Sequence, residues 1–120
     1  VADLYQDMHP AVLGAIRFVV DQARAEGTRV GICGEIAGNP AAAVLLTAMG
    51  FDVLSMNAPN LPRVKWALRA IDMEDARALL DEVLAFSSAE EVTEFMRNAL
   101  VERGLGRVVR PDSRLASAVA

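Results

Sequence analysis

Apolar residues recur at three- and four-residue intervals between Pro10 and Glu26, at Val12, Leu13, Ile16, Val19, Val20 and Ala23. That period predicts a helix with one buried face, with Pro10 in its first turn and Gly27 at its end. Thr28 to Cys33, carrying Val30 and Ile32, is short and β-branched, and it predicts a buried strand. Asn39 then reads as a helix N-cap and Pro40 as the first helical residue of a nearly continuous apolar run, Ala41 to Met49, that stops at Gly50. A run with so little polar face predicts a helix buried on most sides. Phe51 to Met56 is a second strand candidate and Asn57-Ala58-Pro59-Asn60 the turn after it, so the order strand, turn, helix repeats.

The remaining chain is patterned for helices. Leu61 to Ile71 is a short one with Pro62 at its start, and Arg63, Lys65 and Arg69 read as its solvated face. Met73 to Phe86 and Ala89 to Arg103 are amphipathic, capped by Asp72 and Ser88, with acidic first turns opposing the positive helix ends. From Gly104 the periodicity fades. Arg107, Arg110, Pro111 and Arg114, followed by small residues, predict a flexible tail over 104–120 after a folded part over 1–103.

Two parallel strands cannot complete a sheet covered on both faces. The expected class is α/β, as the last portion, about the final two βα units, of a (β/α)8 TIM barrel.

Composition narrows the functions. The 120 residues are 53% hydrophobic and 5% aromatic, which suits an Ala/Leu/Val-rich α/β domain and disfavours a β-sandwich. A net charge of −4 offers no basic face for nucleic acid or for an anionic membrane surface. Mean hydropathy is +0.28, yet no apolar run approaches the ~18–20 residues of a membrane span. Val1-Ala2-Asp3-Leu4-Tyr5 carries no signal-peptide pattern, and the single cysteine precludes an internal disulfide and fits a reducing cytoplasm. A first residue of Val rather than Met is what a segment of a longer protein would have.

The chemistry concentrates in Gly31-Ile32-Cys33-Gly34-Glu35-Ile36-Ala37-Gly38-Asn39-Pro40. This places Cys33 where a strand ends and a Gly-rich turn begins, the end at which α/β proteins gather catalytic groups. Gly34 and Gly38 let backbone approach a ligand or simply make the turn; Glu35 orients the site or a dimer contact, or is a solvated carboxylate. Ser55 and Asn57, at the end of the second strand, either hydrogen-bond a ligand carboxylate or cap the next helix. On spacing alone, a lone cysteine is more often a small buried hydrophobe than a catalyst. His9 reads as a capping or surface residue, with no partner spaced for a metal site. The methionines are scattered fillers.

The same residues, followed by Gly50-Phe51-Asp52-Val53-Leu54-Ser55-Met56-Asn57-Ala58, resemble the end of the phosphoenolpyruvate-binding barrel of enzyme I-type phosphoenolpyruvate-protein phosphotransferases. Leu4-Tyr5-Gln6-Asp7-Met8-His9-Pro10-Ala11-Val12-Leu13 and Asn60-Leu61-Pro62-Arg63-Val64-Lys65-Trp66 extend the resemblance over about 1–103, in wording most like the nitrogen-related paralogue. The resemblance implies Cys33 as proton donor to pyruvate enolate, Gly34, Ser55 and Asn57 as substrate-binding residues, and Mg²⁺ held by residues outside this chain. It also implies a phosphorylated histidine on another domain, a histidine-containing phosphocarrier protein as partner, and a homodimer. Alone, the segment is expected to be inactive. Two other readings are a dimerisation or interaction module of that enzyme, and a fragment of a pyruvate phosphate dikinase or phosphoenolpyruvate synthase, which share a similar Cys-Gly-Glu turn.

Overall fold

The computed structural model describes residues 6–109. The expected residues 1–5 of the barrel segment, and the part of the expected tail from 110 to 120, lie outside the described residues. The elements run α1 (Pro10–Ala25), β1 (Gly31–Cys33), α2 (Pro40–Met49), β2 (Val53–Ser55), α3 (Leu61–Ala70), α4 (Met73–Val83), α5 (Ala89–Glu102) and α6 (Gly106–Val109). Short 3₁₀ turns, Glu35–Gly38 and Ala58–Asn60, follow the two strands. The fold is mostly helical around a small parallel sheet, as the α/β pattern requires.

Helix α2 is the hub because its sequence has almost no polar face. Every residue in it but Thr47 is buried, and Leu45 and Leu46 are fully so. Asn39 starts it by accepting from the backbone N–H groups of Ala41 and Ala42, at 3.0 and 3.4 Å. Helices α3, α4 and α5 and the two strands pack around it, with Leu13 and Val20 of α1 completing the core.

β1 and β2 pair in parallel with Gly31 beside Val53, Ile32 beside Leu54 and Cys33 beside Ser55. Asp52 extends the pairing: its N–H donates to the Val30 carbonyl at 2.9 Å, and its carboxylate accepts from the Val30 N–H at 2.8 Å. The first strand was expected to be buried. Only one face of each strand is: Ile32 and Leu54 pack against the core, while Gly31, Cys33, Val53 and Ser55 are exposed. The helices cover one side of the ribbon, and alternation sends every second residue to the other.

Helix α1 departs similarly from its expected buried face. Leu13 and Val20 are fully buried and Ile16 packs on the core, but Val12 and Val19 are 40% and 57% exposed. α1 rests mainly on α2, along a stripe too narrow to cover its whole apolar arc.

The chain does not loosen at Gly104. Gly104 adopts φ 77°, its N–H reaches the Val101 carbonyl at 3.0 Å, and the Leu105 N–H reaches the Leu100 carbonyl at 2.9 Å. This reversal drops Leu105 and then Val108, each 1% exposed, into the core. The expected tail therefore begins no earlier than the end of α6.

A bidentate ion pair ties α4 to the end of α5. Arg103 donates to both Asp75 oxygens, at 2.6 and 2.7 Å, and to the Ala99 carbonyl at 2.7 Å. The hydrogen bonds from Arg103, reinforced by its charge, hold the Asp75 carboxyl below the usual value of 3.8. A carboxyl whose pKa falls on folding contributes stability at neutral pH and loses it as pH drops through the folded value. The pair is partly open, at 27% and 37% exposed side chains, so screening keeps its worth small. Asp75→Asn is expected to cost about 1 kcal/mol at pH 7. Thermal melts should show that difference shrinking below pH 3.8, the ordinary carboxyl value, and shrinking with added salt.

Candidate functional site at the carboxyl ends of the strands

The two strands end side by side, so their register decides what can meet. Cys33 and Ser55 are Cα partners and project from the same exposed face, on strands ~4.8 Å apart. Cys33 is an exposed free thiol, which removes the reading of it as a small buried hydrophobe.

Gly34 follows at φ 107° and ψ −174°, a region essentially reserved for glycine. A Cβ there would have no atom within 4 Å, so the space above this backbone is open. Gly38 is different. The Nδ2 of Asn60 lies 2.7 Å from where a Gly38 Cβ would sit. The bare backbone at Gly38 therefore receives the Asn60 side chain from the second loop, and the two residues line one cavity. The role of Gly38 is to lock the two strand-end loops together.

Asn57 makes no side-chain bond to the 3₁₀ turn that follows it, so the capping alternative is not realised. It lines a cavity of about 350 Å³ with Glu35, Asn39, Asn60, Arg63 and Val108. Ser55 is exposed beside Cys33, and Glu35 is a solvated carboxylate at the start of the turn. His9 caps α1, its Nδ1 accepting from the Ala11 N–H at 3.0 Å. Just before it, burial pushes the Asp7 carboxyl above 3.8; its own N–H and that of Met8 oppose the shift, and the charge of Glu35 adds to it.

Arg63 was expected on a solvated face. Instead it is half-buried, and its Nε and Nη2 both donate to the Val108 carbonyl, the Nε at 3.2 Å. Nothing in the spacing of Arg63 signals this contact, because its acceptor is a main-chain oxygen 45 residues away. Among the described residues no three His, Cys, Asp or Glu side chains come together as a metal site.

A thiol, a hydroxyl and a glycine-only turn lie at the carboxyl ends of two parallel strands, with helices on the opposite face, the end of the sheet at which α/β proteins bind ligands. The chain belongs to the family described as "PEP-utilising enzyme, PEP-binding domain", whose profile matches residues 1–73. It is 41% identical over 105 residues to a phosphoenolpyruvate-protein phosphotransferase of Haemophilus influenzae, covering 88% of this chain and 18% of the relative. A Geobacillus stearothermophilus protein of the same name is 41% identical over 97 residues, covering 81% of the chain and 17% of the relative. The phosphoenolpyruvate-dependent phosphotransferase system protein of Salmonella typhimurium is 37% identical over 110 residues, 92% of the chain and 15% of the relative. The chain spans 15 to 18% of the length of these relatives.

Proposed function

We propose that this chain is the C-terminal part of the phosphoenolpyruvate-binding barrel of a phosphoenolpyruvate-protein phosphotransferase of the nitrogen-related type. The observation that supports the reading most is the exposed Cys33 thiol at the end of β1, in register with Ser55 and followed by the glycine-only turn at Gly34. In the proposed reaction a histidine nitrogen on another domain attacks phosphorus, and the bond from phosphorus to the enolate oxygen breaks. The bonding pair stays on that oxygen as pyruvate enolate. The Cys33 thiol then gives its proton to the enolate methylene carbon, forming pyruvate and a thiolate that solvent reprotonates. A thiol suits this step, since it is a far stronger acid than a hydroxyl and can give its proton to a carbanion-like carbon.

Ser55 and Asn57 present hydrogen-bonding groups for the substrate carboxylate, and Gly34 leaves room for it. Mg²⁺ would be held by residues outside this chain, where it would neutralise phosphate charge. A histidine-containing phosphocarrier protein receives the phosphoryl group; the enzyme is a cytoplasmic homodimer, and the isolated segment is inactive. The names of the relatives favour this reading over a dikinase or synthase fragment.

The test is alkylation of Cys33 by iodoacetamide in the intact protein that contains this chain. Phosphoenolpyruvate with Mg²⁺ is expected to slow labelling about tenfold or more at saturation, and to leave labelling of the isolated chain unchanged. Equal labelling of the intact protein with and without phosphoenolpyruvate would refute the site.

A further inference from the structure

We infer that Arg63 is a positioning residue: by gripping the Val108 carbonyl it braces the loop that carries Asn57, so that the C-terminal turn forms a working wall of the substrate site. The inference rests on the proposed function above and extends it to an element outside the residues matched by the family profile, which end at 73.

Arg63 stands in the first turn of α3, three residues after the Ala58–Asn60 turn that links Asn57 to that helix. Its guanidinium donates twice to one main-chain oxygen, a charge-assisted contact that fixes α6 against α3. α6 is in turn anchored by Leu105 and Val108, both essentially fully buried. On the other side, Asn60 fills the space left by Gly38. The loop between Asn57 and Arg63 is thus held from two directions, by the first loop through Gly38 and by the C-terminal turn through Arg63. Val108, Val109, Arg63, Asn57 and Asn60 all line the same cavity. Cys33 is held by its strand pairing beside Ser55 and by the Asn39 cap that closes its loop, and neither involves Arg63.

That separation makes the role testable. If the brace sets Asn57 and leaves Cys33 untouched, its loss weakens substrate binding and spares the proton-transfer step. Arg63→Met, which keeps the apolar stem, is expected to raise the phosphoenolpyruvate KM of the intact enzyme about tenfold with kcat within about twofold. Arg63→Lys, which can still donate to the carbonyl, should recover most of the loss. Arg69→Met removes the same charge from an exposed position of the same helix and should match the wild type. Amide hydrogen exchange at Leu105 to Val109 should speed up in Arg63→Met alone.

A wild-type KM and wild-type exchange in Arg63→Met would overturn the inference. So would a joint fall in kcat and melting temperature without a KM change, which would mark Arg63 as a stability residue only. If the wild-type enzyme shows no phosphoenolpyruvate turnover, the proposed function fails and the substrate role of the brace fails with it, while the exchange data still decide whether Arg63 holds α6.

Discussion

Cys33→Ala in the intact enzyme is expected to slow pyruvate formation by ~10²–10⁴-fold while phosphoenolpyruvate still binds, because general-acid catalysis typically contributes that much. Once phosphorus leaves, the enolate must take a proton on carbon, and without the thiol only solvent can give it. Cys33→Ser is the sharper variant: it keeps shape and hydrogen bonding but substitutes a hydroxyl, a far weaker acid, so it should be nearly as slow as alanine. Neither change should unfold the protein, since Cys33 is exposed and contributes little to the core. Stopped assays of pyruvate release, with melting curves of each variant, provide the check. Turnover of Cys33→Ser at the wild-type rate would mean that another group protonates the enolate, and Cys33 would lose the role.

The consequence for the neighbours is that their contributions must appear in different kinetic constants. With Cys33 as the proposed proton donor, its loss should move kcat; with Ser55 and Asn57 as the proposed substrate-binding residues, theirs should move KM. Arg63, acting through the loop that carries Asn57, falls with the second group. The parallel register is what permits this division, since it sets Cys33 and Ser55 side by side while Asn57 lies beyond the strand, on the cavity it lines with Arg63 and Val108.

Much of this arrangement is readable from local sequence signals. Asn39-Pro40 and Gly50 bound α2, Asp72 and Ser88 start α4 and α5, and each works through bonds within a few residues: Asp72 accepts from the Asp75 N–H at 2.8 Å and Ser88 from the Glu91 N–H at 3.2 Å. The position of Cys33 at the end of a strand is local too. What the sequence conceals is whatever needs a distant partner. The burial of β1 and the apolar face of α1 are set by which elements lie beside them, and here Val12, Val19 and Val53 stay open where periodicity alone marks an interior. The same holds for Arg63, whose partner is a main-chain carbonyl, and for Gly38, whose empty side is filled by Asn60. Leu105 and Val108 are a different case. The signal was present, as a glycine directly after a helix with an apolar residue beyond it, but basic residues and a proline further on outweighed it in the reading of a tail.

Gly34 tests how far the site depends on backbone alone. At φ 107° and ψ −174° an alanine Cβ is opposed by its own main chain, although no neighbouring atom lies within 4 Å of it. The cost is therefore internal strain of ~1–3 kcal/mol, and the chain can relieve it only by rotating the peptide next to Cys33. That rotation moves the thiol. A displacement of ~1 Å in a reacting group costs on the order of 10²-fold, so Gly34→Ala in the intact enzyme is expected to lose about that factor in kcat. The protein should stay folded, since the strain is smaller than the ~5–15 kcal/mol stability of a typical domain. Gly14 supplies the contrast: it lies within α1 without a positive φ and also has no atom within 4 Å of its missing Cβ. Gly14→Ala should raise stability by ~0.5–1 kcal/mol and leave turnover unchanged. If Gly34→Ala retained full kcat, the thiol would be indifferent to the turn behind it, and the conformation of Gly34 would serve the fold rather than the reaction.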